Sequence, residues 1–225
     1  MGYLFSNPQV ILKLAGEHLY MTAVSLLIAT LIALPLSMVL VRSERLSSVV
    51  LGVLGIFYTI PSIALLILLL PLFGLNQTSV IVALIIYTQI ILVRNMVTGL
   101  KGVPEPTLEA ARGVGMNAWQ RWIKVQLPLA LPVILAGMRI AAVVAVAIAT
   151  IGAKFGAGGL GTLLFDGIAQ NRYDKIVAGS VAVALLAFIL NRLLIAAEDY
   201  FDVSKRIARA EKKQARPATA VSSSD

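Results

Sequence analysis

Long apolar blocks alternate with short polar stretches along this chain, and the blocks have the length of membrane-spanning helices. Residues 19–41 are nearly unbroken apolar sequence, enough for one helix of about 20 residues. Pro35 lies inside this block and predicts a bend towards the Arg42 end, where Arg42-Ser43-Glu44-Arg45 closes it. A second block, 49–73, is interrupted near its middle by Thr59-Ile60-Pro61-Ser62. A proline there frees a backbone carbonyl, which a neighbouring helix or a water-lined cavity has to satisfy. The break reads either as a plain kink or as a substrate contact. Residues 74–77 make a short uncharged turn. The third block, 78–100, carries Tyr87, Thr88, Gln89, Arg94 and Asn95 as its polar members. Arg94 stands roughly 24 Å along it, from where it can snorkel to the interface. The fourth, 127–152, is rich in small residues (Ala141, Ala142, Ala145, Ala147, Ala149) that let helices approach closely. The fifth is 176–197. Ahead of the first, 1–17 is short and mixed, with room for a small interfacial helix ending at Lys13. The pattern predicts an all-α membrane protein with about five transmembrane helices.

The longest polar segment before the C-terminal tail is 105–128, and it includes most of the loop at 101–126. Pro106 suits a first helical turn, where a missing N–H is tolerated, and Pro104 or Thr107 marks the start. Leu108, Ala111, Val114 or Gly115, Ala118, Trp119 and Trp122 recur at three- and four-residue steps, an amphipathic pattern. Gly113 and Gly115 each weaken helix propensity by up to ~1 kcal/mol, which makes sense where the chain turns or a partner comes close. Taken alone, the segment also fits an amphipathic helix in the membrane interface, anchored by Trp119 and Trp122.

Composition narrows the class. With 59% hydrophobic residues and a mean hydropathy of +0.89, the 225-residue chain is too apolar for an ordinary soluble domain. Only 13% is charged, yet the net charge is +8. That charge sits in loops and a tail between apolar blocks, which points to a membrane face and away from nucleic acid. With 101–126 on the cytoplasmic side, that side collects Arg42, Arg45, Arg94, Lys101, Arg112, Arg121, Lys124 and seven more between 192 and 216. Lys13, Lys154, Arg172 and Lys175 fall opposite. Fourteen against four predicts an outside N-terminus and an inside C-terminus. The expected organisation is an extracytoplasmic or interfacial segment at 1–17, a transmembrane domain at 18–203 and a basic, disordered cytoplasmic tail at 204–225. The opening residues show no secretory leader pattern.

Little in the chain offers chemistry. The absence of cysteine excludes disulfides and thiolate metal sites, and no catalytic set or metal site is read. Gly156-x-Gly158-x-x-Gly161 matches the dinucleotide fingerprint in letters only. No strand–helix unit surrounds it, so it reads as a flexible linker into a short helix at 160–169. His18, the sole histidine, stands at a membrane edge and reads as interfacial. Arg139 is the only charge well inside a span, ~16 Å beyond Pro128 along a helix. No partner carboxylate is evident within the spans. That leaves carbonyls freed at Pro35 or Pro61, polar side chains, water, or snorkelling along its own stem. The chain lacks a Walker loop and a paired-carboxylate cluster, so energy for concentrating a solute has to come from a partner.

The register Glu109-Ala110-Ala111, Gly115, Val125, Leu127-Pro128 resembles the coupling loop of ABC importer permeases, with Val125 where the family usually has isoleucine. The resemblance extends over about 15–197. It takes in Thr59-Ile60-Pro61-Ser62, the run from Val93 to Leu100, the run from Leu127 to Arg139 and the glycine-rich run from Phe155 to Ile168. These stretches are similar to one branch, the osmoprotectant (glycine betaine, carnitine, choline) permeases of bacteria, with the type I importer fold. The resemblance implies a multi-pass protein of the bacterial inner membrane that is not itself an enzyme. It implies a second permease subunit, identical or homologous, and two ATP-binding cassette subunits holding ATP and Mg. It also implies an extracytoplasmic substrate-binding protein, expected to be separate because the chain ends in a short tail. This chain would hold no cofactor of its own. Glu109, Ala110, Ala111, Arg112, Gly115, Met116 and Asn117 would couple to the ATPase. Glu109 would orient the helix and Gly115 would permit close approach. Tyr58, Pro61, Ser62, Tyr87 and Arg139 are the candidates for the gate and translocation path: a quaternary ammonium is attracted to aromatic faces such as the two tyrosines, which otherwise read as packing, and Arg139 would brace the inner gate. A methionine- or other amino-acid-type permease is the nearest alternative. An ion-gradient-driven carrier would be expected to show an internal repeat and intramembrane carboxylates, and a membrane scaffold would not need the proline-broken span.

Overall fold

A computed structural model describes residues 2–201, and no strand occurs among them. The tail at 204–225 lies outside the described residues. The helices are α1 (Gly2–Ser6), α2 (Pro8–Leu40), α3 (Glu44–Thr59), α4 (Ser62–Phe73), α5 (Gln77–Lys101), α6 (Glu105–Gly113), α7 (Ala118–Arg121), α8 (Leu127–Gly152), α9 (Gly161–Ala169) and α10 (Tyr173–Phe201). A wide π turn, Trp122–Gln126, joins α7 to α8, and a 3₁₀ turn, Ala153–Phe155, follows α8. Ala118–Phe155 is therefore one continuous helical rod of 38 residues.

Among the described residues, four helices are long and apolar enough to cross a membrane, and the bent pair α3–α4 makes a fifth crossing if it counts as one span. Two contacts tie the ends of this pair to the two ends of α5. Glu44, at the start of α3, pairs with Lys101 at the end of α5 (3.7 Å). The end of α4 turns at Gly74 directly into Asn76, which caps the start of α5 by accepting from Thr78 and Ser79 N–H.

The first span differs from expectation. It begins at Pro8, not near residue 19, so the boundary expected at 17/18 falls inside α2. Pro8 occupies the first helical position, where its fixed φ suits the helix. The polar pair Glu17 and His18 does not break the helix because both side chains find partners inside the fold. Glu17 Oε2 accepts the N–H of Gly159 (2.9 Å), and the fully buried His18 donates from Nε2 to the Val146 carbonyl (3.1 Å). His18 is therefore a core residue joining α2 to α8, and the interfacial reading is corrected. The glycine stretch after α8 is likewise no loose linker. It lies over α2 and beside the Leu75 carbonyl, so closely that Cβ atoms at Gly156 and Gly158 would collide with their neighbours. The helix expected at 160–169 forms as α9.

The core is the antiparallel pair α5 and α8, flanked by α2 on one side. Three contacts mark its register: Val80 against Gly152, Asn95 against Gly137, and Val133 against Gly99. Each step forward on α5 is matched by an equal step back on α8. At Gly137 the approach is tightest, since a Cβ there would lie 2.4 Å from the Asn95 Cβ. In an apolar medium such contact drives helix association, because burying apolar surface gains nothing over lipid. Polar groups in this core donate to carbonyls of neighbouring helices, as Gln89 does to Ala29 (3.1 Å). Large apolar side chains such as Leu31, Val49, Ile56, Leu68, Phe188 and Leu193 face outward.

Gly137→Ala is expected to destabilise the chain by overpacking, typically about 1–3 kcal/mol. Gly52→Ala, where a Cβ meets nothing within 4 Å, should be neutral or slightly stabilising. Thermal unfolding in detergent, followed by tryptophan fluorescence, checks both; equal melting temperatures would refute the close packing.

Candidate functional site

Two regions carry the polar features that an all-helical membrane chain has little other reason to build. The first is the segment between α5 and α8. Pro104 caps α6, and Glu105 and Arg112 pair across its exposed face (3.2 Å). The helix ends in a Schellman turn: Met116 N–H reaches the Ala111 carbonyl (3.1 Å) and Gly115 N–H reaches that of Arg112 (2.9 Å). This turn requires a left-handed residue, and Gly115 supplies it at φ +81°. A Cβ at Gly115 would meet no other part of this chain, so the chain's own turn already accounts for this glycine. Asn117 then opens α7 with a capping box, accepting from Gln120 N–H (2.8 Å) while its own N–H reaches Gln120 Oε1 (3.0 Å). Arg121 donates to the Met116 carbonyl (2.9 Å) and Gln126 to that of Leu100 (3.3 Å), which ties the elbow to α5.

The elbow is thus pre-formed. Ala111 is buried beneath it and Met116 is half-buried, while Glu109, Ala110, Arg112, Gly115 and Asn117 are exposed on its outer side. Trp119 and Trp122 stack at 5.4 Å. Trp122 is half-buried and Trp119 exposed, and with Arg42, Arg112 and Arg121 they line a basin of about 410 Å³ against the end of α2. Immediately after comes the wide turn before Pro128, whose missing N–H cannot bond back to the preceding turn.

The second region is the break at 59–62. Ile60 precedes proline and is extended (ψ 127°), Pro61 caps α4, and the two helices meet at 92°. The Tyr87 hydroxyl donates to the Ile60 carbonyl, giving the broken backbone its partner. Tyr58 meets Tyr87 edge to face, with centroids 5.7 Å apart. Beside the break lies a groove of about 420 Å³ lined by Gly55, Tyr58, Ile90, Ile91, Arg94, Asn95 and Ile140. Ser62 is half-buried in the first turn of α4.

The structure thus brings Tyr58, Tyr87 and Pro61 together and adds Asn95, expected only as a polar member of its span, and Arg94, expected to snorkel to the interface. Their adjacency within an apolar block was the available signal. Arg139 stands apart, in a separate cleft with Val143, Val144 and Asn191. The expectation that it lacks a carboxylate partner is corrected, because Glu198 of α10 lies 3.9 Å from its guanidinium. Glu198 sits at the far end of the last helix, where sequence reading saw a span already ended at 197.

Comparison with known proteins gives a consistent picture. Residues 16–207 match the family described as binding-protein-dependent transport system inner membrane component. The glycine betaine/carnitine/choline transport system permease protein OpuCB of Bacillus subtilis is 35% identical over 198 residues, covering 88% of this chain and 91% of that protein. The osmoprotectant import permease protein OsmW of Salmonella typhimurium is 39% identical over 197 residues, covering 85% and 92%. Among solved structures, a chain of the inward-facing MetNI methionine ABC transporter aligns with a TM-score of 0.71 at 25% identity, over 85% of this chain and 97% of that one.

Tyr87→Phe removes the hydroxyl that satisfies the Ile60 carbonyl, and should destabilise the protein by about 1–3 kcal/mol. Tyr58→Phe keeps the ring contact and should melt like the parent. A Tyr87→Phe protein with unchanged thermal stability would mean that the carbonyl finds another donor.

Proposed function

Because this chain belongs to the family of binding-protein-dependent transport system inner membrane components, we propose that it conducts small quaternary-amine osmoprotectants such as glycine betaine, carnitine or choline across the membrane. Members are permease subunits of ABC importers, multi-pass proteins of the inner membrane that leave ATP hydrolysis to a separate ATPase. The observation that carries the substrate class is identity of 35% with a permease named for glycine betaine, carnitine and choline and of 39% with one named for osmoprotectant import, over more than four fifths of both chains. The elbow of α6 and α7 is the coupling element. Its outer face, with Glu109, Ala110 and Arg112, docks on one of two cytoplasmic ATP-binding cassettes. This orientation sets the N-terminus outside and the C-terminus inside, in keeping with the excess of lysine and arginine on the elbow's side. A second permease copy or homologue completes the pore, and a separate binding protein delivers substrate to the opposite face.

The test is uptake of labelled glycine betaine, choline and carnitine in a strain stripped of its own uptake systems and supplied with the cognate ATPase and binding protein. ATP-dependent uptake of at least one is expected. Methionine uptake instead would favour the amino-acid reading that the solved methionine transporter raises.

Glu109→Lys reverses a charge on the docking face, and Gly115→Trp forces a bulky side chain into a left-handed turn beside it. Both variants should insert normally yet lose stimulation of ATP hydrolysis by loaded binding protein. Undiminished stimulation in both would remove the elbow from the coupling mechanism.

Arg139, held by Glu198, braces α8 against α10 at the inner gate. Arg139→Leu should therefore raise ATP hydrolysis without matching uptake, and Arg139→Lys should keep part of the coupling. Unchanged stoichiometry of transport in Arg139→Leu would leave the pair without a gating role.

A further inference from the structure

We infer that the groove beside the broken span is a transient substrate station within the membrane, and that Arg94 reads the carboxylate of a zwitterionic betaine there while Tyr58 holds the quaternary ammonium. The inference rests on the osmoprotectant reading and sharpens it to carboxylate-bearing substrates.

Three arginines lie within apolar spans, Arg94 in α5, Arg139 in α8 and Arg192 in α10, and the fold treats the first two differently. Arg139 has Glu198 as its partner. Arg94 meets no carboxylate within 4 Å among the described residues, although its charge is as permanent and as unfavourable in an apolar medium. It stands seven residues before the end of α5, roughly 10 Å along the helix from Lys101. Its side chain lines the groove, and the walls about it are Ile90, Ile91, Ile140 and Gly55. None of these is an anion. A guanidinium with five donors, facing an apolar concavity, is suited to accept a carboxylate from a ligand.

The other end of such a ligand is provided for as well. Tyr58 borders the same groove and is 42% exposed, while Tyr87 behind it is 5% exposed and fixed by its bond to the Ile60 carbonyl. The inner ring therefore braces the outer one, and an aromatic face attracts a quaternary ammonium within about 6 Å. A volume of about 420 Å³ lies within the usual range for small-molecule sites. Choline shares the ammonium but has no carboxylate, so it leaves Arg94 unpaired and adds a second positive charge to the groove. Glycine betaine satisfies both ends.

The experiment measures uptake of glycine betaine and of choline at saturating concentration by the full complex, with binding-protein affinity fixed because that protein is unchanged. Arg94→Gln should shift the betaine-to-choline uptake ratio about tenfold towards choline, the order expected on losing a charge-assisted hydrogen bond. Arg94→Lys should recover part of the ratio. Tyr58→Leu should lower uptake of both by similar factors, and Tyr58→Phe should retain it. Co-purification with the ATPase reports assembly of each variant. If Arg94→Gln does not assemble, the ratio in Arg94→Lys decides, with an unmoved ratio counting against the inference. Equal losses for the two compounds in the Arg94 variants would mean a structural or gating role and overturn the inference alone. Parent protein that takes up neither compound would overturn the osmoprotectant reading, and this inference with it.

Discussion

The contact between Gly137 and Asn95 sets the spacing on which the other helices depend. Lipid gives no hydrophobic reward for pressing two apolar helices together, so α5 and α8 have to gain their stability from intimate contact. A glycine at the closest point permits that approach, and the contacts at Gly99 and Gly152 extend it along both helices. Once this pair is fixed, α2 packs against both members, and α3 and α4 lie along α5. On the other side, α10 is joined to α8 through Arg139 and Glu198. The elbow hangs from one end of this pair and the glycine stretch from the other, and the break at 59–62 is tied to α5 through Tyr87.

A second rule governs the polar side chains within the spans. His18 and Gln89 each donate to a backbone carbonyl on another helix, and Tyr87 to the one in the break between α3 and α4. These bonds replace the water that a soluble protein would use, and they fix where the helices sit. At the break near Pro61 the same rule becomes a design requirement, because α3 and α4 can meet at a right angle only if the interrupted backbone is satisfied. Tyr87 meets that requirement and at the same time positions Tyr58.

Much of this was legible in the sequence. Apolar blocks long enough for a membrane announced the spanning helices, and Gly113 and Gly115 marked a place where the chain turns, although the capping box of Asn117 and Gln120 went unread. Local chemistry decides such features, so local sequence reveals them. What escaped was long-range. His18 looked interfacial because its acceptor, Val146, lies 128 residues away. Glu17 looked like the end of a preamble because the glycine it binds follows the fourth span. Arg139 looked unpaired because its carboxylate lies beyond the last apolar run. Proline marked the break in span two, but no sequence rule gives an angle of 92°. Nothing local distinguishes a snorkelling Arg94 from one lining a groove, since only the packing of α3 against α5 puts Arg94 and Asn95 beside Tyr58.

The continuous rod from Ala118 to Phe155 has Gly137 at its midpoint. About that point the two arms differ in stiffness: the arm towards the elbow contains the π turn, Pro128 and Pro132, whereas the arm towards the glycine stretch contains no proline.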